Sequence, residues 1–147
     1  MARTSGDIVI DAPADRVMAA IADFEAYPRW ATGMRTVEVR SVGANGLAET
    51  VYFELDASPI RDHYTLAYTW NGDRSVSWQI AEPGEMLTSM DGAYTLEPVG
   101  GGGTKVTYQL RVEVSIPLLG MLKRKAEKVV VDAALKGLKR HVEAAGD

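Results

Sequence analysis

The chain has 147 residues, 46% hydrophobic and 24% charged, with a formal net charge of -4 and no cysteine. That length and balance suit one folded domain, residues 1–147, and exclude a disordered chain, disulfides and thiolate metal sites. The acidic balance argues against nucleic-acid binding, and with no apolar signal core or bilayer-length apolar run the expected location is cytoplasmic.

Ile8 and Ile10 alternate with polar neighbours and predict a short strand over Asp7 to Asp11. Asp11-Ala12-Pro13 opens a helix whose apolar face is Val17, Ala20, Ile21 and Phe24, and Tyr27-Pro28-Arg29-Trp30 is expected to break it. The period then changes to two. Val37 and Val39 share a face, as do Val51, Phe53 and Leu55. Ile60, Tyr64, Leu66, Tyr68 and Trp70 form another such set. Val76, Trp78 and Ile80 follow, then Tyr94 and Leu96, then Val106 to Val114. Asn45-Gly46, Asn71-Gly72, Pro83-Gly84 and the run Gly100 to Gly103 mark turns between them. From about residue 117 to 144 the period is helical again, roughly 40 Å of helix. Its expected buried stripe is Leu119, Leu122, Ala126, Val129, Val130, Ala133, Leu138 and Val142, with Glu127 on the wet side.

The fold class this order predicts is α+β: a curved antiparallel sheet of about seven strands, a short helical pair after strand one, and a long C-terminal helix across the sheet. A strongly twisted sheet around one helix leaves space that the helix does not fill, which is the expected pocket.

The chain resembles the START-like, helix-grip superfamily, specifically bacterial polyketide cyclase/dehydrase and coenzyme-Q-binding relatives. The resemblance rests on Ile10 to Val17, on Asp23-Phe24-Glu25-Ala26-Tyr27-Pro28-Arg29-Trp30, and on Gly92-Ala93-Tyr94-Thr95-Leu96. Gly103 to Tyr108 and Ile116-Pro117-Leu118-Leu119 complete it. It implies a hydrophobic small-molecule ligand (a lipid, a quinone or a polyketide). It leaves open a carrier, an aromatase/cyclase-dehydratase, or a protein-interaction regulator using a basic helix face.

The residues offer little acid-base chemistry. His63 and His141 stand far apart in sequence, so no metal and no cofactor are expected. Arg35 shares parity with Val37 and Asp62 with Tyr64, so each has two readings: a pocket group, or a strand-end residue facing water. With Tyr64 they are the candidate catalytic residues. The expected ligand wall is Trp30, Val37, Phe53, Tyr64, Leu66, Tyr68, Trp78, Tyr94, Tyr108, Leu110, Val130 and Ala133. Its tyrosines fit core filling and pocket lining alike, and a hydroxyl among apolar groups wants a partner. Leu118 to Lys128 sets apolar residues beside basic ones, which fits either transient contact with an anionic membrane or a solvated helix face.

Overall fold

The computed structural model describes residues 3–31, 33–57, 60–115 and 120–145. The strand β1 (Thr4–Ile10) leads into α1 (Ala14–Ala22), a 3-10 turn (Phe24–Ala26) and the one-turn helix α2 (Tyr27–Trp30). Six strands follow: β2 (Met34–Val42), β3 (Ala48–Ala57), β4 (Ile60–Asn71), β5 (Ser75–Glu82), β6 (Leu87–Pro98) and β7 (Thr104–Val114). The last element is α3 (Gly120–Ala145). All seven strands join one antiparallel sheet in the order β1-β7-β6-β5-β4-β3-β2. The expected α+β helix-grip architecture is what the chain adopts.

The alternating pattern decides which face is buried. Val51, Phe53, Leu66, Val76, Leu96, Val106 and Leu110 are each no more than 4% exposed, and all sit at the inward parity of their strands. α1 adds Val17, Met18 and Ile21 to the same core. Each such side chain contributes about 1.5–3 kcal/mol through burial.

Three local expectations need correction. Tyr27-Pro28-Arg29-Trp30 does not end α1. That helix stops at Ala22, where Asp23 leaves the helical region (φ -86, ψ 77), and Pro28 occupies the first turn of α2. A proline there loses no hydrogen bond, because first-turn N–H groups have no partner in the helix. Strand β6 runs from Leu87, well before Tyr94, because a register shift between Leu87 and Ser89 breaks the alternation there.

The third correction concerns the face of α3. Its buried line is Glu127, Val131, Leu135, Leu138 and Val142, whereas Val129 and Val130 are 63% and 43% exposed. A step of one residue turns the helix by about 100°, so choosing Val130 in place of Val131 puts that part of the expected stripe off the sheet, while Leu138 and Val142 are buried as expected. Leu119 lies outside the described residues.

Polar ties secure α3 over β1 and β7. Buried Glu127 accepts the Thr4 hydroxyl at 2.6 Å and the Val112 N–H at 2.7 Å. Val112 lies past Leu110, the last β7 residue paired with β1 among the described residues, and the carboxylate satisfies its N–H. At the far end of α3, Arg16 donates to the Val142 carbonyl (3.0 Å) and Lys139 to the Val9 carbonyl (2.8 Å). Glu143 accepts the Asp11 N–H (2.9 Å). The Arg16 cation on the Val142 carbonyl suits the negative end of the helix dipole.

Candidate functional site

Burial along the strands is graded rather than uniform. On β3 the inward series runs Val51 and Phe53, buried, then Leu55, half-buried. On β5 it is Val76, Trp78, then half-buried Ile80. On β7 it is Val106, Tyr108, Leu110, then half-buried Val112 and Val114. β2 and β6 contribute half-buried Met34 and Met90 at the same end. Antiparallel pairing brings the start of β2, the β3–β4 and β5–β6 turns and the end of β7 to one rim of the sheet. The grading is not uniform across the sheet: Leu87 at that rim is 2% exposed, while Tyr68 and Trp70, toward the other end of β4, are half-buried.

Between the two ends lies a continuous aromatic wall. Phe24 meets Tyr27, Phe53, Tyr68 and Trp70; Phe53 stacks on Tyr64 at 5.6 Å between ring centroids. Trp78 lies 5.8 Å from Tyr68, 5.4 Å from Tyr94 and 5.5 Å from Tyr108, and the last two rings meet edge to face at 4.6 Å. Phe24 and Tyr27 were not among the expected lining residues; their place in a short turn with no strand parity hides them. Gly92 makes room for the indole. A Cβ there would stand 2.6 Å from Trp78 Cζ2 and 2.8 Å from the Gln109 carbonyl oxygen. Gly92→Ala is expected to cost about 1–3 kcal/mol by overpacking, read as a lower urea midpoint.

The tyrosine hydroxyls divide into two kinds. Tyr27 donates to the Ile21 carbonyl and so serves the fold. The hydroxyls of Tyr64, Tyr68, Tyr94 and Tyr108 have no hydrogen-bond partner among the described residues. Nor are they sealed off: the one sealed, unpartnered side-chain donor among those residues is Trp30 Nε1. They thus stand in the aromatic interior as donors that the described protein leaves unpaired. Burial pushes all four phenols well above their ordinary range; the Tyr108 hydroxyl, near enough to be felt, adds to the rise at Tyr64, Tyr68 and Tyr94. At neutral pH they are donors and not bases.

Arg35 and Asp62 do not join this group. Met34 pairs with Leu55 and Thr36 with Glu54, so Arg35 is the extra residue of a β-bulge. The bulge turns it outward, where its exposed guanidinium meets Asp56 at 3.1 Å, with Arg61 on the other carboxylate oxygen. Asp62 accepts four backbone N–H groups: His63 and Glu85 at 2.9 Å on Oδ1, Met86 at 2.9 Å and Leu87 at 2.6 Å on Oδ2. Partial burial works to raise its pKa, but those donors together hold it below the usual carboxylate value. Gly84 is required beside it, since a Cβ there would lie 2.2 Å from Asp62 Oδ2. Asp62 thus clamps the β5–β6 turn at the rim.

The remaining expected wall residues are distributed unevenly. Phe53, Tyr64, Leu66, Trp78, Tyr94, Tyr108 and Leu110 are buried on the concave face, and Val37 and Tyr68 are half-buried against it. Val130 and Ala133 lie off the buried line of α3 for the reason given above. Trp30 packs between α2 and α3, where it meets Tyr27 at 4.9 Å and stacks on His141 at 5.7 Å. Among the described residues no three metal-ligating side chains converge, and no helix is long and apolar enough to cross a membrane.

A concave antiparallel sheet gripping a long helix over an aromatic interior defines a START-like helix-grip domain. The chain belongs to the family described as polyketide cyclase / dehydrase and lipid transport, whose model matches residues 1–143. Among solved structures it is similar to a START superfamily protein from Mycobacterium smegmatis, 19% identical with a TM-score of 0.91 over 99% of both chains. It is also similar to the Zhui aromatase/cyclase from Streptomyces sp. R1128, 16% identical with a TM-score of 0.82 over 99% of this chain and 95% of that one. The di-domain aromatase/cyclase BexL of the BE-7585A biosynthetic pathway is 22% identical with a TM-score of 0.75. That match covers 97% of this chain and 47% of BexL. At these identities the likeness is one of fold. No curated protein matches the chain by sequence.

Proposed function

We propose that the chain is a carrier that holds a hydrophobic small molecule bearing oxygen acceptors, a quinone or polyketide before a simple lipid, between the concave sheet and α3. The observation that carries this reading is the set of four tyrosyl hydroxyls, unpartnered within the described protein and facing an otherwise aromatic interior. A carbonyl brought there would satisfy donors that the fold leaves unused, and buried donors gain most from a partner where water is scarce.

The ionisable groups favour a carrier over an enzyme. A cyclase or dehydratase needs a group that takes a proton from carbon, beside donors that polarise the carbonyl. The tyrosines supply donors. Asp62 is close enough to influence Tyr64, but its oxygens are occupied by backbone N–H groups; Arg35 is held outside by Asp56. The aromatase/cyclase reading draws on the named structural relatives, and on the same tyrosines acting as carbonyl polarisers.

The test compares 1,4-naphthoquinone with naphthalene by titration calorimetry, on the parent chain and on the double variant Tyr94→Phe/Tyr108→Phe. The double variant should bind the quinone about tenfold more weakly, which is about 1.4 kcal/mol, and naphthalene equally well. Its thermal midpoint should be unchanged or raised, because no protein hydrogen bond is removed. Failure of the parent chain to bind either compound, or equal loss for both, would sink the carrier reading. Conversion of a linear poly-β-ketone to cyclised product would replace it with the enzymatic one.

A further inference from the structure

A second concavity, on the outside of the molecule, lies where α2 meets the C-terminal half of α3. It is a cleft of about 470 Å³ whose walls include Arg29, Trp30, Gly33, Gly137, Arg140 and His141. None of its described lining residues is acidic. The wall is held rigid: a Cβ on Gly137 would stand 2.6 Å from the Trp30 carbonyl oxygen, so the two helices touch backbone to backbone there.

Several arginines elsewhere on the chain are paired with acid. Acidic residues outnumber Lys and Arg, 20 to 16, and Arg3, Arg35, Arg61 and Arg111 each have a carboxylate within 3.3 Å. Arg29 and Arg140 are exposed, and neither has a carboxylate partner among the described residues. Two unpaired guanidinium groups thus share one recess with the imidazole of His141, which stacks on Trp30 with 16° between the ring planes. Like charges gathered in a concavity raise its potential, and the planar guanidinium fork matches the oxygens of a phosphate or carboxylate. The indole N–H is sealed within the wall, so the donors offered to the recess are the guanidinium and imidazole groups.

We propose that this cleft binds an oxyanion group, a phosphate or carboxylate, held by Arg29 and Arg140 against the stacked Trp30–His141 pair. It is separate from the interior site, and neither proposal depends on the other. The oxyanion comes either from a soluble metabolite or from an anionic lipid headgroup, and two arms of one experiment distinguish these sources.

In the first arm, phenyl phosphate is titrated into the 15N-labelled chain and the amide and indole resonances are followed. Saturable shifts should centre on the Trp30 indole, Gly33, Gly137 and His141. The double variant Arg29→Ala/Arg140→Ala should weaken binding by about tenfold or more, while Arg74→Ala, an exposed arginine elsewhere, should leave it unchanged. Binding should also weaken as salt is raised. In the second arm, vesicles of phosphatidylcholine with and without phosphatidic acid are sedimented with the chain. Capture that needs phosphatidic acid and disappears in the double variant assigns the headgroup as the source. Phenyl phosphate saturation without capture assigns a soluble anion. Shifts spread over all surface arginines, or binding unaffected by the double variant in both arms, would overturn the proposal.

Discussion

Glu127→Ala is expected to lower the unfolding free energy by about 3 kcal/mol, the largest effect of any single change discussed for this chain. The carboxylate is 2% exposed and accepts from both Thr4 Oγ1 and the Val112 N–H. Alanine removes two charge-assisted bonds and strands the backbone donor of Val112, which has no β1 partner among the described residues. Glu127→Gln should retain most of the stability. Its amide oxygen can accept from Val112, and its NH₂ can donate to a Thr4 hydroxyl that reverses its role. A urea series should show the order parent, Gln, Ala, with an unchanged slope. A loss below about 1 kcal/mol for alanine would mean that water takes over the carboxylate's contacts, and that α3 is held to the sheet by apolar packing alone.

The second large effect is at Asp62, where alanine should cost about 2 kcal/mol, discounted because the group is only partly buried. Four backbone donors converge on the carboxylate, three of them from Glu85, Met86 and Leu87, so its loss should free the β5–β6 turn. The pH dependence has a definite sign. The folded-state pKa lies below the unfolded value of about 3.9, so the stabilisation is complete above that pH and is lost as the pH falls through the folded value. Acid unfolding of the parent and of Asp62→Ala should therefore converge at low pH and separate above about pH 4. Parallel curves across the whole range would show that the carboxylate's charge is not what holds the turn.

Most of the fold was readable in the residues because strand alternation is a strict signal with a period of two. Val51 and Phe53, Val76 and Trp78, and Val106, Tyr108 and Leu110 are buried as their parity requires. Helical phase was less secure. Val129, Val130 and Val131 stand side by side, and hydrophobicity alone does not say which faces the sheet; Glu127, a charge on the buried line, misleads further. The family resemblance is upheld over residues 1–143.

The aromatic interior proposed as the site was legible in the sequence, and the placement of its neighbouring charges was not. Arg35 shares parity with Val37 on paper, but a bulge at that very residue inverts it, and nothing in the local sequence announces the bulge. Asp62 has the inward parity of Tyr64, yet three of its four partners come from a turn more than twenty residues away. Such long-range backbone acceptance leaves no local pattern. The same is true of the cleft between α2 and α3, whose two arginines are 111 positions apart along the chain, 140 less 29.

The three tryptophans happen to divide the molecule into separate reporters. Trp78 stands among Tyr68, Tyr94 and Tyr108 on the inner wall, Trp30 lines the outer cleft, and Trp70 is tied through its N–H to the Ala48 carbonyl at 2.7 Å. Trp78 is in contact with three tyrosine rings, so its emission should respond to a ligand bound among them. Chains retaining only Trp78 or only Trp30 would thus report occupancy of the two sites independently, by fluorescence, with no attached dye.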